Sequence, residues 1–211
     1  MEFNKVVRGN KRAIEDEQIV FDILDAGYLC HVSFVHHGQP MCIPTAFGRD
    51  GDTLYLHGST KNFMLNAILA SGTACISVTH LDGLVLARSL FDTGVNYRSV
   101  VIHGTPQLVT DKAERMHGLE VFTNHILPGR WQEVPVGTPN QFDATMVIKV
   151  QIERVGCKVR TGPPVGDELL SNEIWSGVIP YTTSLQPPLQ DTKFGTQPPL
   201  AESVQRLYAK Q

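Results

Sequence analysis

The sequence lacks the features that mark membrane, secreted and nucleic-acid-binding proteins. No apolar run approaches the roughly 18 residues that a membrane span requires, and the N-terminus, MEFNKVVRGNKR, has no apolar segment of the kind found in secretion signals. The net charge of -3 gives no electrostatic reason to expect nucleic acid or an anionic membrane as a partner. We therefore expect a cytoplasmic protein.

Cysteine is scarce, and its spacing argues against the usual metal and disulfide patterns. Cys30, Cys42, Cys75 and Cys157 lie far apart, mostly inside apolar segments. The chain has no CxxC pair and no Cys/His spacing typical of zinc. We expect buried, reduced thiols and no metal site.

Several catalytic and nucleotide-binding motifs are missing as well. The chain has no Walker loop, no GxGxxG and no GxSxG elbow for a Ser/His/Asp hydrolase. No carboxylate or second histidine stands at ligand spacing from His57, which ends a strand-like run. The chemistry of this chain therefore has to come from another kind of site.

What the sequence does contain is a series of short alternating segments separated by Gly, Pro and Asp turns. Strand-like runs are YLCHVSFV, MCIPTAFG, TLYLH, TACISVTH, LVLARSLF, YRSVVIHGTPQLV and ATMVIKVQIERVGCKVRT. Amphipathic patterns predict helices over residues 12–26, over about residues 59–70 and from near Asp111. Strands outnumber helices, so the sequence predicts a mainly β fold, an antiparallel barrel with helical decoration.

The C-terminal part has a different composition. From Gly162 onward the chain is Pro-rich and irregular, with PPLQDTKFGTQPPL near its end. We expect one barrel domain over residues 1–180 and a Pro-rich extension over residues 181–211, which packs on the domain or on a partner subunit.

The stretch GSTKN, residues 58–62, lies where a strand passes into a helix. A helix N-terminus leaves about four N–H groups unpaired and carries roughly half a positive charge. One interpretation is ordinary capping by Ser59 or Thr60. The other is a bound phosphate, because Lys61 and Asn62 would put a cation and an amide in the first turn. These residues alone leave both interpretations open.

Basic residues also interrupt apolar strands. Arg88 and Arg98 lie in successive strand-like runs, and each is followed by serine. Either could face solvent, but their paired occurrence favours a shared anion or a polar interface. Lys158 and Arg160 alternate as one strand face does, which is more often a solvated edge. Pro44 cannot donate to a ladder, so its strand faces an edge, a bulge or a ligand.

Together these segments resemble the pyridoxamine 5′-phosphate oxidase-like family of FMN-binding split-barrel proteins. The resemblance rests on GQPMCIPTAF, DTLYLHGSTKNFML, DGLVLARSLF, NYRSVVIHG and WSGVIP, over about residues 8–180. The chain is similar to the branch of nitroimidazole-resistance-related flavin-nucleotide-binding proteins, and it lacks the C-terminal substrate pattern of pyridoxamine phosphate oxidase itself. The resemblance implies a six-stranded antiparallel Greek-key split barrel and a homodimer with FMN at the subunit interface.

The resemblance also implies a set of cofactor-binding residues from several segments. They are Cys42, Ile43, Pro44, Thr45, His57, Gly58, Ser59, Thr60, Lys61, Asn62, Arg88, Ser89, Asn96, Tyr97, Arg98, Ser99, Lys158, Arg160 and Trp175. The backbone of residues 42–45 would line the flavin ring, residues 57–62 would hold or adjoin the ribityl phosphate, and Trp175 would close the pocket. His57, if it faces the ring, is the candidate catalytic residue as a proton donor.

The leading functional hypothesis is an FMN-dependent oxidoreductase that takes electrons from a reduced nicotinamide. It would pass them to a small electrophile, with a nitro-aromatic compound as one candidate. A second hypothesis is an FMN carrier or redox sensor without turnover. A third is a haem-binding or haem-degrading protein of the same fold, and a deazaflavin-dependent protein is a further alternative.

Overall fold

The computed structural model describes residues 1–6, 9–165, 173–193, 195 and 198–209, and strands dominate these ranges. The strands are β1 (Glu2–Phe3), β2 (Ala13–Ile14), β3 (Leu29–His36), β4 (Gln39–Ala46), β5 (Gly48–Asp50), β6 (Thr53–Ser59), β7 (Ala74–Leu86), β8 (Gly94–Gly104), β9 (Pro106–Leu108), β10 (Thr145–Gln151), β11 (Arg154–Arg160) and β12 (Gly177–Pro180). The helices are α1 (Glu17–Asp25), α2 (Phe63–Ser71), α3 (Lys112–Ile126), α4 (Arg130–Glu133), α5 (Pro139–Asp143) and α6 (Glu202–Tyr208), with a 3-10 turn at Asn10–Arg12. The predicted mainly β class is confirmed.

The strands form two sheets that share one core. The larger sheet has the order β1-β11-β8-β7-β3-β4, with β12 paired to β7 and β2 to β11, and the smaller has the order β5-β6-β10-β9. Apolar side chains from both sheets pack together, among them Val32, Ile76, Leu56 and Ile148. The two edge strands of the larger sheet, β1 and β4, do not pair with each other. The barrel is therefore split rather than closed.

Some predicted strands have different limits in the structure. The predicted strand-like run TACISVTH and the start of LVLARSLF belong to one strand, β7, which has a register shift between Leu81 and Gly83. The long run at residues 144–161 divides into β10 and β11, which lie in different sheets. Ile152, which is 2% exposed, lies at this crossing, and its N–H donates to the carbonyl of Asp52. The described residues form twelve strands, whereas the predicted barrel had six. The end of each strand depends on its pairing with strands that are distant in the chain.

Helix α1 begins later than its amphipathic pattern predicted. Asp16 caps it by accepting hydrogen bonds from Gln18 N and Ile19 N, at 2.9 and 3.3 Å. Residues 13–14 are unavailable to the helix because they pair with β11 as strand β2. Helix α3 is confirmed near its predicted start, with Asp111 as its N-cap. None of the helices described here combines the length and apolarity needed to cross a bilayer.

The C-terminal segment returns to the body of the protein. Tyr181 N donates to Asp82 O at 3.1 Å, directly after β12. Helix α6 then contacts α4, because the Ser203 N–H and hydroxyl both donate to the carboxylate of Glu133, at 2.7 and 2.5 Å. Ser203 is 1% exposed. This contact connects the C-terminal segment to the barrel domain.

Candidate functional site

The register of the larger sheet brings several predicted site residues onto its outer face. Ser99 lies opposite Lys158, and Tyr97 lies opposite Arg160, in the β8–β11 pair. Directly opposed residues in a sheet point to the same side. Pro44 is connected to this face through the chain of partners His31, Ser77 and Val101 on β3, β7 and β8.

Alternation places the intervening residues on the other side of the same sheet. Ile43 packs against the core cluster, and Thr45 lies opposite the buried Cys30. Cys42, in contrast, is exposed at the free edge strand β4. Side chains of β4 therefore alternate between the core and the outer face, while its edge position leaves backbone groups accessible to a ligand.

The junction at residues 58–62 is a capped helix start. Helix α2 begins at Phe63, and Asn62 caps it by accepting a hydrogen bond from Leu65 N at 3.0 Å. Lys61 precedes the helix, so the argument that placed a cation inside the first turn was wrong. The helix start is capped, as one interpretation predicted, but by Asn62 rather than by Ser59 or Thr60. The Ser59 hydroxyl accepts a hydrogen bond from Lys61 N at 3.2 Å, outside the helix. The phosphate at this junction stays a prediction, with Ser59, Thr60 and Lys61 exposed there.

The start of α2 packs closely against both β6 and β3. A Cβ at Gly58 would come within 3.0 Å of Asn62 Nδ2 and 3.2 Å of Leu65 Cδ1, so β6 passes tightly beside the helix start. The Phe63 ring lies edge-on to His36, with 4.5 Å between centroids. The start of α2 therefore adjoins the β3–β4 hairpin, which carries the predicted residues 42–45.

His57 faces α3. Its ring lies 4.1 Å from the ring of Phe122, nearly perpendicular to it. Among the described residues, no group hydrogen-bonds to its buried Nδ1 atom. Burial lowers the pKa of His57 from its ordinary value, so the imidazole is neutral at neutral pH. The catalytic role of His57 stays a prediction.

Asn96 and Arg98 lie on the side of β8 opposite Tyr97 and Ser99. Asn96 is 7% exposed, and its Nδ2 donates to Gly162 O at 3.0 Å. Its buried Oδ1 has no hydrogen-bond partner within the described ranges. An unpaired buried acceptor is costly, and a ligand N–H would satisfy it.

Arg98 forms a two-pronged ion pair with Asp82. Its Nε and Nη2 donate to the Asp82 carboxylate at 3.0 and 2.9 Å. These hydrogen bonds raise the pKa of Arg98, and the pair holds the guanidinium in a fixed position. Sequence inspection named Arg98 but could not identify Asp82 as its partner, since the two meet only through the β7–β8 register.

The β7–β8 connection and β12 present an apolar surface. Ile179, Leu84 and Val95 are aligned across β12, β7 and β8, and each is more than a third exposed. At the tip of the connection, Leu90 and Phe91 are 97% and 96% exposed. Three further predicted site residues lie in this region. Ser89 bonds Asp92 within the turn, and Trp175 is 64% exposed with its ring against Gly177; Arg88 also lies in the turn.

A cleft of about 1040 Å³ opens at one end of the barrel, and sequence inspection missed most of it. The α1–β3 turn, β7, β8 and the C-terminal segment all contribute to its walls. Its lining includes Tyr28, His80, Asp82, Arg98, Tyr181 and Leu207. The nearest signal in the sequence was the unusual Arg98, since the other lining residues belong to turns, to the strand β7 and to the C-terminal segment, and none of them was singled out.

The architecture agrees with the comparison to known families. The model of the pyridoxamine 5′-phosphate oxidase family matches residues 16–159, which is more than half of the chain. The chain belongs to this family. A comparison with curated protein sequences gives no significant match.

Two solved structures are similar to the chain over nearly its whole length. The flavocytochrome Anf3 from Azotobacter vinelandii is 36% identical, with a TM-score of 0.87, and the match covers 95% of this chain and 94% of that one. The FAD and haem binding protein from Mycobacterium smegmatis is 34% identical, with a TM-score of 0.84, covering 92% of this chain and 96% of that one.

A third solved structure shares the fold. The putative 5-nitroimidazole antibiotic resistance protein from Bacteroides thetaiotaomicron is 22% identical, with a TM-score of 0.58. The match covers 70% of this chain and 86% of that chain. The predicted family and the split-barrel class are therefore confirmed, and the two more similar structures extend the likeness into the C-terminal segment.

Proposed function

We propose that this protein binds a flavin and acts in electron transfer. The observation that carries the proposal is 34–36% identity, over more than nine-tenths of both chains, to a flavocytochrome and to an FAD and haem binding protein. Within the described residues, Lys158 lies opposite Ser99 and Arg160 lies opposite Tyr97 on the outer face, a set of donors that suits the phosphate of a flavin. When bound, the flavin supplies the electron chemistry, and the protein supplies binding and orientation.

The flavin is either FMN, which the sequence resemblance predicted, or FAD, which the similar mycobacterial protein binds. Both contain the same ring system and a ribityl phosphate, so both require the same kind of anchoring. The exposed Ser59, Thr60 and Lys61 would contact that phosphate. Tyr97, Ser99, Lys158 and Arg160 would contact the cofactor from the outer face of the sheet.

The reaction we propose is the oxidation of a reduced nicotinamide and the reduction of a small electrophile. A nitro-aromatic compound is one substrate class to assay, and a carrier or redox sensor without turnover is the alternative. Consumption of NADH with and without added acceptors separates these two, because only an enzyme consumes NADH in excess of its bound flavin.

We also propose that the functional unit is a homodimer. The row Ile179, Leu84 and Val95, together with Leu90 and Phe91, exposes large apolar side chains on one surface. A second copy would cover this surface and gain about 25 cal/mol for each Å² of apolar area removed from water. The outer-face residues of β8 and β11 would then lie beside the partner subunit.

The first test is the absorption spectrum of the purified protein, followed by mass spectrometry of the released cofactor. Bands near about 375 and 450 nm would show oxidised flavin, and the cofactor mass would distinguish FMN from FAD. A protein that stays colourless, and does not retain either flavin after desalting, would refute the proposal.

Haem is a second cofactor that we propose for the same protein. The two structures that are more than 30% identical are described as a flavocytochrome and as an FAD and haem binding protein, and both cover the C-terminal segment of this chain. The residues present fit such a group, because the cleft at the barrel end combines apolar walls with an imidazole and a guanidinium. A Soret band in the same spectrum tests this directly.

A further inference from the structure

We propose that the cleft beneath the C-terminal segment is the haem site and that His80 is the iron ligand. This inference rests on the proposed haem cofactor. Many of the predicted flavin residues lie on the outer face of the sheet or at the α2 junction, whereas the cleft lining contains one of them, Arg98. A second prosthetic group therefore has a separate place in this chain.

The size and lining of the cleft suit a large planar ligand. Its volume of about 1040 Å³ lies at the upper end of the roughly 300–1,000 Å³ typical of small-molecule sites. Aromatic and aliphatic surface comes from the α1–β3 connection, with Tyr28 and Leu29, and from the C-terminal segment, with Tyr181 and Leu185. A macrocycle bound there would remove from water apolar side chains that are 41–53% exposed without it.

His80 has the hydrogen bond that a metal-bound imidazole requires. Its Nε2 lies 2.9 Å from the carbonyl oxygen of Ile23, and a carbonyl can only accept, so Nε2 carries the proton. The other ring nitrogen keeps its lone pair. Imidazoles that ligate metals usually donate their second N–H to a carbonyl or carboxylate in this way. The ring also needs Gly27, where a Cβ would lie 3.4 Å from His80 Cε1 and 2.9 Å from Val78 Cγ1.

Arg98 supplies the charge that the acidic groups of haem need. It lines the same cleft and lies directly opposite His80 in the β7–β8 register. Its ion pair with Asp82 fixes the guanidinium at the cleft wall, and Arg98 has a donor, Nη1, beyond the two that bond Asp82. A haem propionate would accept a charged hydrogen bond there.

The C-terminal segment forms one wall of the site and holds it in place. Residues 181–185 and Leu207 line the cleft, and the segment is attached at two points: Tyr181 N to Asp82 O, and Ser203 to Glu133. The second attachment lies on α4, away from the cleft lining. Removing it should loosen the wall and speed the release of haem without altering the iron ligand.

The decisive experiment compares His80→Gln with the wild-type holoprotein, both purified from haem-sufficient cells. Glutamine can still donate to Ile23 O but offers no imidazole, so the haem-to-protein ratio should fall at least tenfold or the Soret maximum should shift. The flavin-to-protein ratio should stay unchanged. His117→Gln is the matched control, since His117 bonds Asp50 on the exposed surface and should leave both ratios unchanged.

A second variant covers the case in which His80→Gln fails to fold. Leu207→Trp adds bulk to the cleft from α6, outside the barrel core, and should lower haem content by a similar factor. Glu133→Ala should speed haem transfer to excess apomyoglobin about tenfold, whereas Glu202→Ala, which removes an ion pair within α6, should not.

The outcomes separate this inference from the flavin proposal. Retention of haem with an unchanged Soret band in both His80→Gln and Leu207→Trp would overturn the assignment. A wild-type protein that carries flavin but no haem would also overturn it, while the flavin proposal would stand. A protein with neither cofactor would refute both.

Discussion

The outer face of the larger sheet and the cleft at the barrel end differ in how they are built. On the outer face, predicted residues such as Ser99 and Lys158 meet because two strands pair in register. In the cleft, Tyr28, His80 and Leu207 meet although they come from a turn, a strand and the C-terminal helix. The first site follows from local alternation, whereas the second requires the whole chain to fold. Each region can be perturbed without touching the other.

The largest expected effect is on the apolar surface beside the outer face. Leu84→Asp would place a charge, repeated by symmetry, in the proposed dimer interface. An uncompensated buried charge costs about 3–5 kcal/mol. The dissociation constant of the dimer should therefore rise by about 100-fold or more. Light scattering after size exclusion measures it, with the exposed Leu189→Asp as control. A wild-type monomer, or a Leu84→Asp dimer, would contradict the homodimer proposal.

A pair of charge removals should separate the two regions. Lys61→Ala should weaken flavin binding and spare haem, whereas Arg98→Ala should weaken haem binding and spare flavin. Each loses about 1.5–3 kcal/mol, or roughly 10- to 100-fold in affinity, if one charged hydrogen bond is removed. Arg49→Ala is a suitable control, because Arg49 also forms a two-pronged pair with an aspartate, Asp25, outside both regions.

Titration with FMN, FAD and haemin measures these affinities. If the Arg98 variant loses affinity for flavin rather than for haem, Arg98 contacts the flavin, as the resemblance implied. Unchanged flavin affinity in the Lys61 variant would remove the α2 junction from the flavin site.

A smaller effect distinguishes capping from binding at the α2 junction. Asn62→Ala removes the N-cap and should lower the free energy of unfolding by about 1 kcal/mol. Ser59→Ala, which leaves that cap intact, should change stability little and flavin affinity more. Chemical denaturation of the cofactor-free protein measures the free energy of unfolding, and titration with flavin measures the affinity. Equal stability losses in both variants would show that Ser59 has a structural role as well.

The smallest effect concerns His57. Because burial lowers its pKa below the ordinary value of 6.5, the folded protein binds fewer protons there than the unfolded chain. Its contribution to stability is therefore complete above pH 6.5 and declines as the pH falls toward the lowered pKa. His57→Phe should flatten this decline in urea unfolding between pH 7.5 and 5.5. An identical pH dependence in the variant would show that His57 is not the group responsible.

Particular residues show how far sequence inspection reaches. In NYRSVVIHG, the sequence left open whether Arg98 faces solvent, and the structure pairs it with Asp82 on the side of β8 opposite Tyr97 and Ser99. The Asn62 cap was missed because Ser59 and Thr60, just before it in the chain, are also favoured N-cap residues. Asp82 was not identified as the partner of Arg98, because nothing local to it indicates a partner sixteen residues away.

Residue type and short-range periodicity were enough to predict the mainly β class and the alternation of faces along each strand, and the resemblance of several motifs predicted the family. Three features could be seen only in the fold. They are the path of β7 through Asp82, the residue that caps α2, and the cleft that the C-terminal segment forms beside His80 and Arg98. Those features depend on contacts between residues far apart in the chain, whose energies no local pattern records. Candidate flavin residues were therefore predicted from separate segments and stay a prediction, while the cleft became visible only in the fold.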